Sequence, residues 1–315
     1  MTFIDPRLTE RRNARTAAID LATPLEIVDL INAEDRTVPE IVGTQREAIA
    51  RAIETAEATF RRGGRLFYVG AGTSGRLGVL DAAECPPTYG TDPEMVQGII
   101  AGGIPALTRS QEGAEDRIES ADEDLSAHGV RAGDFVIGIA ASGTTPYVRR
   151  ALEHARVVSA ATALVACSPP PRETLDAVDI LILPLTGPEV VTGSTRMKAG
   201  TATKLVLNMI TTGAMIRLGK TYGNLMVDVR PTNEKLRRRS ERLVMLLAGC
   251  RRAKAARLLV GADGDTKVAI VAALTGRPAP EAAALLRAAQ GRIRDALATA
   301  GIAAPELEPR TQTDG

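Results

Sequence analysis

Short apolar runs recur through the middle of the chain, separated by stretches long enough to form helices. RLFYVG (65–70), FVIGIA (135–140), TALVAC (162–167) and DILILPL (179–185) are dense in aliphatic and aromatic residues and read as buried strands. MVQGIIAG (95–102) is a weaker fifth candidate, because two glycines interrupt it. Between the runs the period changes. Across 147–160, Val148, Ala151, Leu152, Ala155 and Val158 fall near i, i+3, i+4, i+7 spacing and give a helix one apolar face. A long helix is predicted from Thr195 to about Gly219, with Leu205, Met209, Ile216 and Leu218 available to a core or a partner. Strands alternating with helices imply βαβ units, hence a doubly wound, mainly parallel α/β sheet with right-handed crossovers.

The flanks are patterned differently. Residues 1–56 carry PLEIVDLINAEDRTVPEIV and QREAIARAIETAEATF, both apolar on one side, and form an N-terminal helical segment. The α/β domain then occupies 57–222, and 223–245 reads as a connecting helix or linker. An Ala/Leu-rich segment, 246–300, is broken by GADGD, TGRPAP and AQG, which divides it into about three short helices of a small bundle. Residues 301–315 read as a loose tail.

Composition narrows the function without choosing it. The 315 residues suit roughly two domains. A net charge of +1 gives no concentrated basic face for nucleic acid or a membrane surface, and four Tyr, four Phe and no Trp leave little for stacking bases. No apolar run reaches the ~18–20 residues of a membrane span, and MTFIDPRLTERRNARTAAID lacks the apolar core of a secretory signal. Cys85, Cys167 and Cys250 are far apart and odd in number, which suits free thiols in a reducing cytoplasm. Two histidines without close metal spacing argue against a zinc centre.

The chemistry concentrates in two loops. Gly70-Ala71-Gly72-Thr73-Ser74-Gly75 fits G-x-G-x-x-G, but a dinucleotide site needs an acid at the end of the following strand, and that strand ends IIAGG. The loop idea repeats where FVIGIA runs into ASGTTPY, again from a strand into a helix with hydroxyl residues beside glycine. Such loops present backbone N–H groups and hydroxyls at a helix N-terminus, where the dipole favours an anion. A phosphate monoester suits the second loop and sugar hydroxyls the first; either loop alone also reads as a mere tight strand–helix turn.

Together with EGAED and GPEVVTGSTRMKAGTATK, these loops resemble a sugar isomerase (SIS) domain, and more narrowly the N-acetylmuramic acid 6-phosphate etherase family, to which the glucokinase regulatory protein is related. The resemblance spans nearly the whole chain, including LTERRNARTAAID, and makes the terminal bundle similar to a ubiquitin-associated-like three-helix module. Ala14 and Arg117 depart from the pattern.

The resemblance implies a lyase that removes a D-lactyl ether from C3 of an amino sugar 6-phosphate, with no cofactor or metal. Glu84 would donate a proton to the lactyl oxygen, and Glu115 would be the partner that removes the C2 proton, with the two roles open to exchange. A surface glutamate such as Glu115 is otherwise most often a solvated helix face. Burial that raises their pKa would fit both carboxyls for proton transfer. Pro86-Pro87 is expected to end the helix carrying Glu84. Gly72, Thr73 and Ser74 would hold sugar hydroxyls; Ser142, Thr144, Thr145 and the Gly143 amide, the phosphate. Ser194, Thr195 and Lys198 would bind substrate or line an interface, with Ser194 or Thr195 as an ordinary helix cap the alternative. A homodimer with its site near the subunit interface is implied. A non-catalytic phosphosugar-binding regulator and a phosphosugar isomerase stay open as alternatives.

Overall fold

The computed structural model describes residues 7–228 and 234–306. The expected loose tail therefore lies largely outside the described residues. Two compact units divide the chain, one built from residues up to Cys85 and from Asp92–Ala214, the other from Pro86–Thr91 and from Met215 onward.

In the first unit three single-turn 3₁₀ segments (Leu8–Glu10, Ala14–Thr16, Ile19–Leu21) lead into helices α1 (Pro24–Asp35), α2 (Val38–Gly43) and α3 (Arg46–Arg61). Thr23 and Glu26 form a reciprocal capping box that starts α1. The α/β core follows: β1 (Leu66–Gly70), α4 (Gly72–Tyr89), β2 (Val96–Ile100), α5 (Pro105–Thr108), α6 (Ile118–Ala127), β3 (Phe135–Ile139), α7 (Pro146–Val157), β4 (Ala161–Val165), α8 (Arg172–Leu175), β5 (Ile180–Ile182) and α9 (Lys198–Arg217). The five strands are parallel in the order β2-β1-β3-β4-β5, as the sequence implied.

Every residue of β1 and β3 is buried, because helices cover both faces. Phe67, Val69, Val136 and Leu164 pack with Leu125 of α6 and Val148, Leu152 and Ala155 of α7. On the opposite face α3 and α4 meet the sheet, and α9 packs against both of these helices. The order reverses between β1 and β3, so the loops after these two strands flank the switch-point crevice.

Several boundaries differ from expectation for visible reasons. The glycine-interrupted candidate is a full strand: a Cβ on Gly98 would lie 2.5 Å from Val79 Cα, so glycine lets α4 lie directly on β2. Strand β5 stops at Ile182 because the Leu183 N–H turns to Gln45 Oε1 (3.0 Å) and Pro184 has no N–H to give. Pro86-Pro87 does not end α4, which continues to Tyr89; the stop comes at Gly90, in the left-handed region at φ 63, with its N–H on Pro86 O.

The second unit contains a two-residue ribbon, β6 (Thr221–Tyr222) with β7 (Leu225–Met226), and helices α10 (Glu234–Ala248), α11 (Arg252–Gly261), α12 (Thr266–Thr275), α13 (Ala279–Ala288) and α14 (Ile293–Thr299). The three breaks in 246–300 thus separate four helices rather than about three. Val244, Leu259, Ile270, Leu286 and Leu297 share their core. Among the described residues no helix is long and apolar enough to cross a membrane.

Replacing Gly98 with alanine forces a methyl against Val79 and should destabilise the protein by about 1–3 kcal/mol. Urea unfolding of the two proteins measures this, and an unchanged midpoint would contradict the close helix–strand contact.

Candidate active site

Parallel register sets the level of three loops. Gly70, the last residue of β1, pairs with Ile100 of β2 and Ile139 of β3, so the chain leaves all three strands at one height. After β1 the backbone turns at Gly72 (φ 53) straight into α4. A Cβ on Gly75 would sit 2.6 Å from Gly70 O, which explains the glycine where helix and strand touch. After β2, Gly113 (φ 72) turns the chain into the 3₁₀ segment Ala114–Asp116. Ala114 is anchored in the core, and the following Glu115 is thereby held at the surface.

These two loops enclose a cavity of about 160 Å³ lined by Gly72, Arg76, Ser110, Gln111, Glu112 and Glu115, among others. Arg76 Nε donates to Leu107 O (3.1 Å), tying α4 to the loop that bears Glu115. Arg76 and Glu112 were not singled out in the sequence; Arg76 directly follows the glycine loop and Glu112 opens EGAED, but nothing in their spacing marks them.

The third loop follows β3. Gly143 (φ 74) leaves no room for a side chain, since its Cβ would lie 2.9 Å from Pro170 Cα. Its N–H donates to Ala140 O at 2.8 Å, so the amide expected to hold an anion closes the turn instead. Ser142 Oγ accepts from both the N–H (3.2 Å) and the hydroxyl (3.0 Å) of Thr144. Thr145 stands at the N-cap of α7 with its hydroxyl making no capping bond. The end of α7 is thus open, with hydroxyls gathered beside it.

The signature GPEVVTGSTRMK folds differently from expectation. Helix α9 begins at Lys198, three residues later than the predicted start at Thr195, and neither Ser194 nor Thr195 caps it. The cap is Glu189, whose carboxylate accepts from the N–H groups of Lys198 and Ala199, both at 2.9 Å. Burial raises the Glu189 carboxyl above its ordinary range, while those two backbone donors pull against that. Lys198, expected at the substrate, is 2% exposed, and its Nζ donates to Glu34 Oε2 at 2.7 Å. Glu34 also meets Arg15 at 2.5 Å. Burial alone would raise the Glu34 carboxyl; the hydrogen bonds from Lys198 and Arg15, with the charge of Lys198, outweigh it and hold the group below its ordinary range. The N-terminal segment straps the same loop: Thr16 Oγ1 donates to Val190 O (2.8 Å), and the Gly193 N–H donates to Thr9 O (3.2 Å). Thr73 comes near the start of α9, its methyl 3.7 Å from where a Cβ on Gly200 would stand.

Glu84 does not join this gathering. It follows Gly72 by twelve residues on one helix, a rise of about 18 Å. In the single chain Glu84 and Glu115 are both exposed, contrary to the expectation that burial tunes them.

A doubly wound α/β domain with two hydroxyl-bearing loops at its switch point is the architecture of a SIS domain, and residues 48–156 match the family described as glucokinase regulatory protein N-terminal SIS domain. The chain is 51% identical over 294 residues to an N-acetylmuramic acid 6-phosphate etherase of Edwardsiella ictaluri, covering 93% of this chain and 98% of that protein. It is likewise 51% identical over 291 residues to one of Mycolicibacterium smegmatis, covering 92% and 97%. The chain belongs to the N-acetylmuramic acid 6-phosphate etherase family. Among solved structures, a phosphoheptose isomerase from Neisseria gonorrhoeae is similar at a TM-score of 0.46 and 18% identity, covering 61% of this chain and 98% of that one.

Glu34→Gln leaves the buried Lys198 ammonium without its counter-charge and should cost about 3–5 kcal/mol at neutral pH. Because the folded-state pKa of Glu34 is lowered, its stabilisation is complete above about 4.5 and disappears as pH falls through the folded value. Urea unfolding from pH 7 to pH 3 should therefore show the variant losing less on acidification than the parent. Parallel curves would remove Glu34 from the acid response.

Proposed function

We propose that the protein cleaves the D-lactyl ether of N-acetylmuramic acid 6-phosphate, a carbon–oxygen lyase reaction giving N-acetylglucosamine 6-phosphate and D-lactate. The observation that carries this reading is the meeting of Glu115 with the Gly72 turn in one cavity, at the ends of two adjacent strands, in a chain of this family.

An ether is a poor leaving group, so the chemistry begins at C2. Once the sugar opens to its C1 aldehyde, the C2 proton is acidic. The Glu115 carboxylate removes it; the electron pair forms the C2–C3 double bond and the C3–O bond breaks. Glu84, as the acid, protonates the departing lactyl oxygen, and water then adds at C3 of the unsaturated aldehyde. Ser142, Thr144 and Thr145 hold the 6-phosphate at the open end of α7, where the helix dipole favours the anion. Gly72, Thr73 and Ser74 hold sugar hydroxyls, and Ser194 and Thr195 border them. Lys198 serves through its buried pair with Glu34 rather than by touching substrate. A regulator that only binds phosphosugars needs neither glutamate.

The protein acts as a homodimer. Glu84 stands about 18 Å along its helix from its own glycine loop. Leu80, one turn earlier on the same face, is 51% exposed, and Leu21, Leu25 and Val28 form a second uncovered apolar face. A second copy packed on α4 supplies its Glu84 to the Glu115 cavity and covers both carboxyls from water.

Incubation with N-acetylmuramic acid 6-phosphate should release D-lactate; a folded, dimeric protein that releases none would overturn the reading. Glu84→Gln and Glu115→Gln should each cut turnover by ~10² or more. Mixed and reassociated, the two inactive variants should recover about a quarter of the parental sites, because one site in each heterodimer is intact. No recovery despite subunit exchange would place both acids in one chain's site. Thr145→Val should weaken binding of the phosphosugar by about 1.5–3 kcal/mol, measured by calorimetry, and unaltered affinity would remove that hydroxyl from the phosphate site.

A further inference from the structure

Asp81 lies one helical turn before Glu84 on α4 and has no part in the elimination chemistry. Its side chain is 6% exposed and accepts three hydrogen bonds. Tyr68 Oη and Thr211 Oγ1 donate to Oδ2, both at 2.9 Å, and Asn208 Nδ2 donates to Oδ1 at 2.5 Å. Tyr68 belongs to β1, and Asn208 and Thr211 belong to α9, so one carboxylate pins α4 to both the sheet and its neighbouring helix. Only an acceptor at both oxygens suits three donors, and an asparagine would turn an NH₂ toward one of them. As packing alone this is a costly choice, because an apolar side chain of similar volume stabilises a core at least as well as a buried charge.

The need for such a pin lies just downstream. Pro86 and Pro87 have no N–H to give to the carbonyls of Ala82 and Ala83, so the turn carrying Glu84 lacks two of its helical hydrogen bonds. We infer that Asp81 is a positioning residue for Glu84: its three hydrogen bonds fix the rotation of this weakened turn about the helix axis, and with it the direction in which the Glu84 carboxyl points. The inference rests on the reading of Glu84 as the acid. A rotation of roughly 10° moves a group about 6 Å from the axis by about 1 Å, and a misplacement of that size costs about 10² in rate. Cys85, beside Glu84, offers no substitute acid or nucleophile, since burial and then the charges of Asp81 and Glu84 push its thiol up to about 12.

The test is a double-mutant cycle on D-lactate release. Asp81→Asn should lower kcat about 10- to 100-fold with KM within about threefold. In a Glu84→Gln background, where there is no acid left to aim, it should lower kcat no further, while the drop in Tm is the same in both backgrounds. Thr211→Val and Tyr68→Phe each remove a single donor and carry the cycle if Asp81→Asn does not fold; they should show the same loss of additivity at smaller amplitude. Equal fold-losses in kcat with and without Glu84, or parental kcat in all three variants, would overturn the positioning role. Parental turnover in Glu84→Gln alone would instead remove the acid role of Glu84, and the inference with it.

Discussion

The in-register pairing of β1 with β2 on one side and β3 on the other is the constraint on which the site depends. With Gly70 opposite both Ile100 and Ile139, the three loops begin at a common height. A shift of one residue in either ladder would rotate alternate side chains to the opposite face and lift one loop away from the others. The register is held by complete burial of β1 and β3 between two helical layers, which leaves no face on which a slipped strand could place a polar residue without cost. Stability and site geometry are therefore one property of the central strands.

Helix α4 carries that geometry outward. Its first residue closes the glycine loop, its first turn sends Arg76 to the Glu115 loop, and its last turns carry Asp81 and Glu84. Packing against the sheet is unusually close because Gly75, Gly78 and Gly98 remove side chains at the contact. A helix held this rigidly cannot bend its far end back to its near end. The Gly72 turn and Glu84 therefore stand about 18 Å apart along one helix.

The N-terminal segment makes a parallel point about charge. Glu34 and Lys198 form a buried ion pair that the exposed Arg15 joins from the surface, and Glu189 fills the N-terminus of α9. That helix end is occupied by the protein's own carboxylate, whereas at the N-terminus of α7 the Thr145 hydroxyl makes no capping bond. The same dipole is neutralised by a side chain in one case and left without a side-chain cap in the other.

Much of this was determined by sequence alone. Hydrophobic runs and their spacing are local properties, so the parallel α/β class, five strands and both glycine- and hydroxyl-bearing loops were readable from residues a few positions apart. The motifs placed the chain in its family. What remained hidden depends on residues distant in sequence. That Lys198 is sequestered by Glu34, that Glu189 rather than Ser194 caps α9, and that Gly98 completes a strand because Val79 lies against it all follow from contacts no periodicity encodes. Pro86-Pro87 reads as a helix end by local rules, yet α4 runs on to Gly90. The separation of Glu84 from the Glu115 cavity is of the same kind: the motifs contain both glutamates, but only the unbroken run of α4 from Gly72 to Glu84, a rise of about 18 Å, sets them apart.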